Sequence, residues 1–315
     1  MLTERALNRA LLARQLLLER VGLPIPRALE RIGGIQNQYA PSGYVGLWTR
    51  LEGFERDALT RALERRTVVQ GTLMRATIHL VSARDYWPLA LGVRRARREW
   101  AVRVQKADPV ELTRRARAGD FAGAAMLWTD VVRVPPSGTW ERRRADKYAL
   151  ADEWLGRPDA TEESGLDHLL RRYLGGFGPA PLADAASWAG VPPAFLKPSV
   201  GRLRLRRFRD EAGGELLDLP RTPLPDPDTP APVRFLPHWD ACLLVHARRT
   251  GVLTEEHRVR MFHTKNPFSV GAVLVDGRVA GAWSVRERRI VVEPYERLPR
   301  RHVEEERQRL EAFHA

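Results

Sequence analysis

The sequence contains very little cysteine, very little lysine and no long apolar run. Cys242 is its only cysteine, which excludes an internal disulfide framework and any zinc site built on several thiolates. No stretch approaches the roughly 18 apolar residues that a membrane-spanning helix needs. We therefore expect a cytoplasmic protein with no membrane association and no structural metal.

The familiar catalytic motifs are also missing. No Gly-rich phosphate loop, serine elbow, His-Glu metal motif or protein-kinase signature occurs along the chain. The common nucleotide-binding, hydrolase and metalloenzyme templates are therefore excluded. No cofactor is expected, and any chemistry must come from a less familiar combination of residues.

The chain is strongly basic, with a net charge of +13 from 52 basic and 39 acidic residues. Such an excess favours polyanionic partners, nucleic acid first, through phosphate neutralisation and counterion release. Only four basic residues are lysine, and this preference for Arg, with abundant Ala, Gly and Pro, is typical of a GC-rich genome. The position of the charge is therefore stronger evidence than its sum.

The positive charge is concentrated in two clusters. Residues 94–117 hold nine basic and three acidic residues. The second cluster consists of Arg202, Arg204, Arg206, Arg207 and Arg209. Either run could be an ordinary solvated face, but both lie inside segments whose pattern is typical of DNA-binding motifs.

Three successive segments repeat one order of elements, helices followed by two strands. The third is the clearest, because Gly190-Val191-Pro192-Pro193 makes a turn between two short helices, as in a helix-turn-helix. Its predicted helices cover residues 166–174, 181–189 and 194–201, and its predicted strands cover 203–209 and 215–219. The two strands form the hairpin, or wing, of a winged helix.

The sequence predicts an α+β fold of tandem winged-helix motifs followed by a small β-rich C-terminal domain. The Pro-rich run before that domain is typical of an extended linker. The predicted divisions are a first winged helix (1–81), a second, less regular one (82–160), a third (161–219), the linker (220–232) and the C-terminal domain (233–315). Strands are predicted there over 233–236, 242–246, 272–276, 278–285 and 289–292, with a closing helix over 298–313.

The remaining candidate for chemistry is Gly33-Gly34-Ile35-Gln36-Asn37-Gln38, which precedes a predicted helix. By spacing alone, two Gln side chains near a helix start are usually solvent-facing hydrogen bonders. The motif becomes informative in combination with two later segments, Leu-Trp-Thr-Arg-Leu at 47–51 and Thr-Leu-Met-Arg-Ala-Thr-Ile-His-Leu-Val at 72–81.

Together these segments resemble the AlkZ/YcaQ family of bacterial winged-helix DNA glycosylases. The segments 235–240 and 275–283 are similar to the C-terminal β region of that family, so the resemblance covers essentially the whole chain. Family members remove N7-alkylated purines, and some unhook interstrand crosslinks, with paired Gln residues as the catalytic motif. The resemblance implies that Gln36 and Gln38 are catalytic. Asn37 departs from the family, in which the middle position is usually apolar.

The chemistry implied by the resemblance needs no strong acid. An N7-alkylated guanine already carries positive charge, so it leaves as a neutral base without protonation. A Gln carbonyl can accept a hydrogen bond from the attacking water and place partial negative charge beside the oxocarbenium-like sugar. Unmodified purines would be spared, because their departure does need assistance.

Three further residues are candidates for supporting the site: His79, Thr77 and Asp240. A His in an amphipathic strand is more often a packed residue than a catalyst, and Asp240 could simply cap a turn. The expected DNA contacts, most of them to phosphate, are Arg75, Arg94, Arg95, Arg97, Arg98, Arg202, Arg204, Arg206 and Arg207.

The leading hypothesis is a monofunctional, monomeric DNA glycosylase that acts on damaged double-stranded DNA in the cytoplasm, associated with the nucleoid. The alternative is a non-catalytic winged-helix protein such as a transcriptional regulator, which would use the same Arg clusters without the Gln pair. A regulator usually binds paired half-sites as a dimer. The chain has no evident heptad or ligand-sensing segment, which favours the glycosylase.

Overall fold

The computed structural model of the protein describes residues 1–244, 246, 251–262 and 270–315. These residues contain thirteen α-helices and eleven β-strands. The strands form sheets of five, four and two strands. The fold is therefore a mixture of helices and antiparallel sheets, as the sequence predicts.

The first segment consists of four helices and three strands. The helices are α1 (Glu4–Arg14), α2 (Ile25–Ile32), α3 (Ala40–Trp48) and α4 (Arg56–Glu64), and the strands are β1 (Ile35–Gln36), β2 (Val68–Thr72) and β3 (Ile78–Ser82). The Thr3 side chain caps α1 by accepting from the N–H of Ala6. Gly33 ends α2 in the left-handed conformation with φ of 81°.

The second segment shares its sheet with the first. Its elements are α5 (Ala83–Gln105), α6 (Pro109–Arg117), α7 (Ala124–Trp128), β4 (Val131–Arg133), β5 (Tyr148–Leu150) and α8 (Ala151–Leu155). Strand β4 pairs with β2, so one sheet has the order β1-β3-β2-β4-β5. The division expected between residues 81 and 82 falls inside β3, within this shared sheet.

The third segment has the predicted order of three helices and a hairpin. Its elements are α9 (Glu162–Phe177), α10 (Leu182–Ala189), α11 (Pro193–Arg202), β6 (Arg206–Arg209) and β7 (Glu215–Asp218). Gly190 ends α10 with φ of 74°, a backbone conformation that glycine adopts without steric cost. This conformation makes the tight turn into α11.

The C-terminal region forms a four-stranded antiparallel sheet with two helices. Its elements are β8 (Arg234–Leu236), α12 (Glu255–Met261), β9 (Gly271–Val275), β10 (Arg278–Arg286), β11 (Arg289–Pro294) and α13 (Arg300–His314). The strand predicted over 242–246 is wrong at its start, because Ala241–Leu243 is a 3-10 turn capped by Asp240. The rest of that prediction lies partly outside the described residues. Helix α12 was not predicted.

The segments pack into one body rather than standing apart. A single cluster of buried apolar side chains includes Leu11 of α1, Tyr86 of α5, Tyr173 of α9 and Leu274 of β9. Helices α5 and α9 cross closely at Gly92, where an added Cβ would lie 2.8 Å from the backbone of α9. None of the helices in the described ranges combines the length and apolarity that crossing a bilayer requires.

Candidate active site and nucleic-acid interface

The Gln36-Asn37-Gln38 segment is fixed against β3. Gln36 ends β1 opposite His79, and the N–H of Asn37 donates to the carbonyl of Ile78 at 2.7 Å. The N–H of Ile78 donates in turn to Oε1 of Gln38 at 2.9 Å. The side chain of Gln38 therefore takes the place of a backbone acceptor and extends the pairing by one residue.

The two Gln side chains differ in burial but have similar hydrogen bonding. Gln36 is 8% exposed and its Oε1 accepts from Nη2 of Arg75 at 2.7 Å, whereas Gln38 is exposed. Each amide oxygen retains a second lone pair. Within the described ranges neither NH₂ group donates a hydrogen bond, so both amides keep capacity for a ligand.

Asn37 belongs to a buried polar network behind the Gln pair. It is 1% exposed; its Nδ2 donates to Oε1 of Gln70 at 2.9 Å, and its Oδ1 accepts from the N–H of Gly43 at 2.9 Å. Nη1 of Arg133 also donates to Oε1 of Gln70, at 3.2 Å. Both Nδ2 and Oδ1 of Asn37 are therefore hydrogen-bonded.

Replacing Asn37 with Leu is expected to destabilise the protein by about 1 to 3 kcal/mol, because the buried N–H of Gly43 and the Gln70 amide would lose partners. Urea unfolding of Asn37→Leu, Gln70→Leu and the double variant measures this. We expect non-additive losses, with a coupling free energy of roughly 0.5 kcal/mol or more. Strictly additive losses would show that the Asn37–Gln70 contact contributes nothing.

Arg75 connects the Gln pair to the third segment. Its Nη1 donates to the carbonyl of Trp188 at 2.5 Å. Its backbone is left-handed, with φ of 53°, and Gly190 packs so closely that an added Cβ would lie 2.8 Å from Cα of Arg75. In the described part of the chain no carboxylate pairs with Arg75. Burial without a countercharge lowers the pKa of its guanidinium to about 10, so Arg75 stays charged and is available to an anion.

His79 and Thr77 lie next to Arg75 and are hydrogen-bonded to each other. His79 is 2% exposed, and its Nδ1 donates to the carbonyl of Thr77 at 3.1 Å. Burial, reinforced by the charge of Arg75, lowers the pKa of His79 to about 3. The imidazole is therefore neutral at physiological pH, with the lone pair on Nε2.

His246 was not identified from the sequence. It is 1% exposed, its ring lies 5.1 Å from that of Phe177, and neither ring nitrogen has a hydrogen-bond partner among the described residues. Burial, together with the positive charge of Arg75, lowers its pKa. No local pattern could have revealed this residue, because its neighbours come from distant segments.

A family model described as DNA glycosylase AlkZ-like matches residues 29–119 and 113–313, which together include the Gln pair, both Arg clusters and the C-terminal sheet. The chain belongs to the AlkZ-like family. A curated relative from Streptomyces sahachiroi, an interstrand DNA cross-link repair glycosylase, is 27% identical over 170 residues. That alignment covers 49% of this chain and 43% of the relative, so the chain spans less than half the length of this relative.

The AlkZ-like fold is also evident in three dimensions. The solved structure of the Streptomyces sahachiroi DNA glycosylase AlkZ superimposes with a TM-score of 0.80 at 18% identity. The superposition covers 97% of this chain and 95% of that structure. The two proteins therefore share a fold over almost their whole length.

Asp240 lies in a structural ion pair of this AlkZ-like fold. Its two carboxylate oxygens accept from Nη2 of Arg50 at 2.9 and 3.1 Å, and both side chains are 2% exposed. Asp240 also caps the following turn by accepting from the N–H of Cys242. In the described ranges no group of three His, Cys, Asp or Glu side chains is placed to hold a metal ion.

The first Arg cluster is partly internal. Arg94 and Arg97 both pair with Asp130, and Arg97, with a side chain 1% exposed, also donates to the carbonyl of Thr72. Arg97, predicted as a DNA contact, is therefore a buried structural residue in this structure. Arg95 is exposed and pairs with Glu99 at 3.0 Å.

The second Arg cluster is divided in the same way. Arg206 pairs with Asp218, which is fully buried and also bound to Arg14, so its predicted DNA contact competes with a structural bond. Arg202 pairs with Asp167 at 2.7 Å. The other three arginines, Arg204, Arg207 and Arg209, are exposed. Arg207 pairs with Glu215 at 2.5 Å, and Arg204 has no ion-pair partner in the part of the chain that the structure describes.

Proposed function

We propose that this chain is a monofunctional, monomeric DNA glycosylase that hydrolyses the N-glycosidic bond of N7-alkylated purines in damaged double-stranded DNA. Unhooking of interstrand crosslinks is part of the proposal, in line with the name of the curated relative. The observation that carries it is the Gln pair, held against β3 with both amides still able to bind a ligand. Beside it lies the cation of Arg75, with which no carboxylate of the described residues pairs.

The bond that breaks joins C1′ of the sugar to N9 of the purine. The electron pair leaves with the base, and the positive charge of the N7-alkylated ring is thereby neutralised. Water then bonds to C1′ and loses a proton to solvent. The free lone pairs on Oε1 of Gln36 and Gln38 would orient this water and offset the charge of the oxocarbenium-like sugar.

Arg75 must be neutralised during this reaction, since an unpaired cation would oppose a second positive charge nearby. A DNA phosphate would supply the negative charge that neutralises Arg75, in keeping with the expected role of Arg75 as a DNA contact. His79, neutral at physiological pH, adds no further positive charge. The site would therefore become favourable for a sugar cation only with DNA bound.

Base release from an oligonucleotide that carries one N7-methylguanine tests the proposed function. We expect an abasic site at the modified position and none in the unmodified duplex. A duplex with one interstrand crosslink, tested beside it, examines unhooking separately. Tight binding to both duplexes without base release would instead indicate the non-catalytic winged-helix protein.

Arg204→Ala is expected to weaken binding to every duplex alike and to reduce the slope of log affinity against log salt by roughly one unit. Arg206→Ala is expected to act differently, lowering the unfolding temperature because buried Asp218 loses one of its two arginine partners. Salt-dependent binding titrations and thermal unfolding of both variants measure the contrast. An unchanged salt slope in Arg204→Ala would exclude a phosphate contact there.

A further inference from the structure

A groove of about 1140 Å³ opens beside Arg75. Its walls come mainly from the turn that contains Arg75, the C-terminal half of α5, and the end of α10 with the turn into α11. Trp128 of α7 and Glu162 of α9 complete the lining. Arg75, whose Nη2 donates to Oε1 of Gln36 at 2.7 Å, thus also lines the groove. The groove therefore shares Arg75 with the candidate active site, although neither Gln36 nor Gln38 lines it.

The lining combines positive charge with aromatic rings. It contains six Arg and two Glu side chains, and one of the two, Glu99, is paired with Arg95. Arg98 lies over the ring of Trp128, 5.0 Å from its centroid. Neither Arg98 nor Arg103 has a carboxylate partner within the described ranges. This excess of charge favours an anionic occupant over an apolar one.

Trp100 is the most informative residue of the groove. It is 38% exposed, unusual for a side chain of this size. Ala96, Trp100 and Arg103 follow one another at helical spacings of four and three residues, so they share one face of α5. An exposed indole beside a free guanidinium on one face is typical of surfaces on which nucleic-acid bases stack.

We propose that this groove binds a few unpaired nucleotides next to the target base, with a base stacked on Trp100 and phosphates paired with Arg98 and Arg103. This inference rests on the proposed function, because an enzyme that acts on a base must take it out of the helical stack. The part of α5 that lines the groove, from Val93 to Arg103, is about 15 Å long, enough for a short extended strand.

Two labelled probes test the groove by fluorescence anisotropy: a perfect duplex, and the same duplex with three central nucleotides left unpaired. We expect the protein to bind the second probe more tightly. Trp100→Ala should weaken that binding by roughly 5- to 150-fold, the range for loss of one stacking platform, with little change for the perfect duplex. Arg103→Ala should reduce the salt slope for the second probe by about 0.7.

Trp154→Ala is the matched control. Trp154 is half-buried and stacked with Arg66 at 3.8 Å, and it does not line the groove. The Trp154→Ala substitution should leave the affinities for both probes unchanged. Trp100→Phe, which keeps an aromatic ring, should retain most of the affinity for the unpaired probe and excludes misfolding as the cause of the loss.

Equal affinity of the wild type for both probes, or an equal loss on both in Trp100→Ala, would overturn the groove proposal. Base release from N7-methylguanine, measured in parallel, reports separately on the proposed function. A protein that releases the base but has no preference for unpaired nucleotides would retain the glycosylase proposal and lose the groove.

Discussion

Replacing Gln36 or Gln38 with Ala is expected to reduce base release by about one to three orders of magnitude, the range for loss of one preorganised electrostatic contact. Affinity for DNA should change little, because neither side chain carries charge. Single-turnover base release and duplex binding, measured on the same preparations, separate the two effects. Gln308→Ala, which alters an exposed glutamine on α13, is the control and should match the wild type.

The corresponding Glu variants distinguish the two positions. Gln38→Glu keeps an acceptor for the N–H of Ile78 and adds negative charge, so it should retain more activity than Gln38→Ala. Gln36→Glu would place a carboxylate against Arg75, whose guanidinium now lies 2.7 Å from the Gln36 oxygen. The resulting ion pair with Arg75 should reduce the rate of base release. Full activity in the double Ala variant would show that the Gln pair is only structural.

Asp240→Ala is expected to destabilise the protein by about 3 to 5 kcal/mol, because it leaves the buried guanidinium of Arg50 without a countercharge. The two side chains are each 2% exposed, so solvent cannot replace the lost partner. The free energy of unfolding in urea measures the loss. If a variant as stable as the wild type still lost base release, Asp240 would have to act in the reaction itself.

Glu305→Ala is the matched control for this pair. It breaks an ion pair with Arg301 at 2.9 Å whose side chains are 55% and 87% exposed, and such surface pairs contribute only about 0 to 1 kcal/mol. We expect a change in unfolding free energy several times smaller than in Asp240→Ala. Equal losses in the two variants would contradict the structural role of the buried pair.

Most of the helices and strands could be predicted from local patterns. The turn at Gly190 and the alternating strand that follows it were visible because glycine conformation and side-chain periodicity depend on neighbouring residues. The pairing of β4 with β2 was not, since it joins residues about 60 positions apart. The 3-10 turn at Ala241–Leu243 was mistaken for a strand because a short apolar run fits either element.

The candidate site was only partly accessible from the sequence. The Gln pair, Arg75 and His79 lie in motifs that could be recognised, and the structure places Gln36 next to both. The surroundings of Asn37 were hidden, because Gln70 reaches it across the sheet and Arg133 donates in turn to Gln70. The polar Asn37 departs from the usually apolar middle position of the motif, yet its side-chain amide has hydrogen-bond partners in the fold.

The sequence by itself determined the local elements, the excess of positive charge and the position of the Gln pair, because each depends on residues close together along the chain. Only the tertiary structure decided which arginines are free. Arg97 and Arg206 are paired with Asp130 and Asp218, whereas Arg204 has no carboxylate partner among the described residues. A guanidinium is available to phosphate only where folding brings no carboxylate to it, and that depends on residues from other elements.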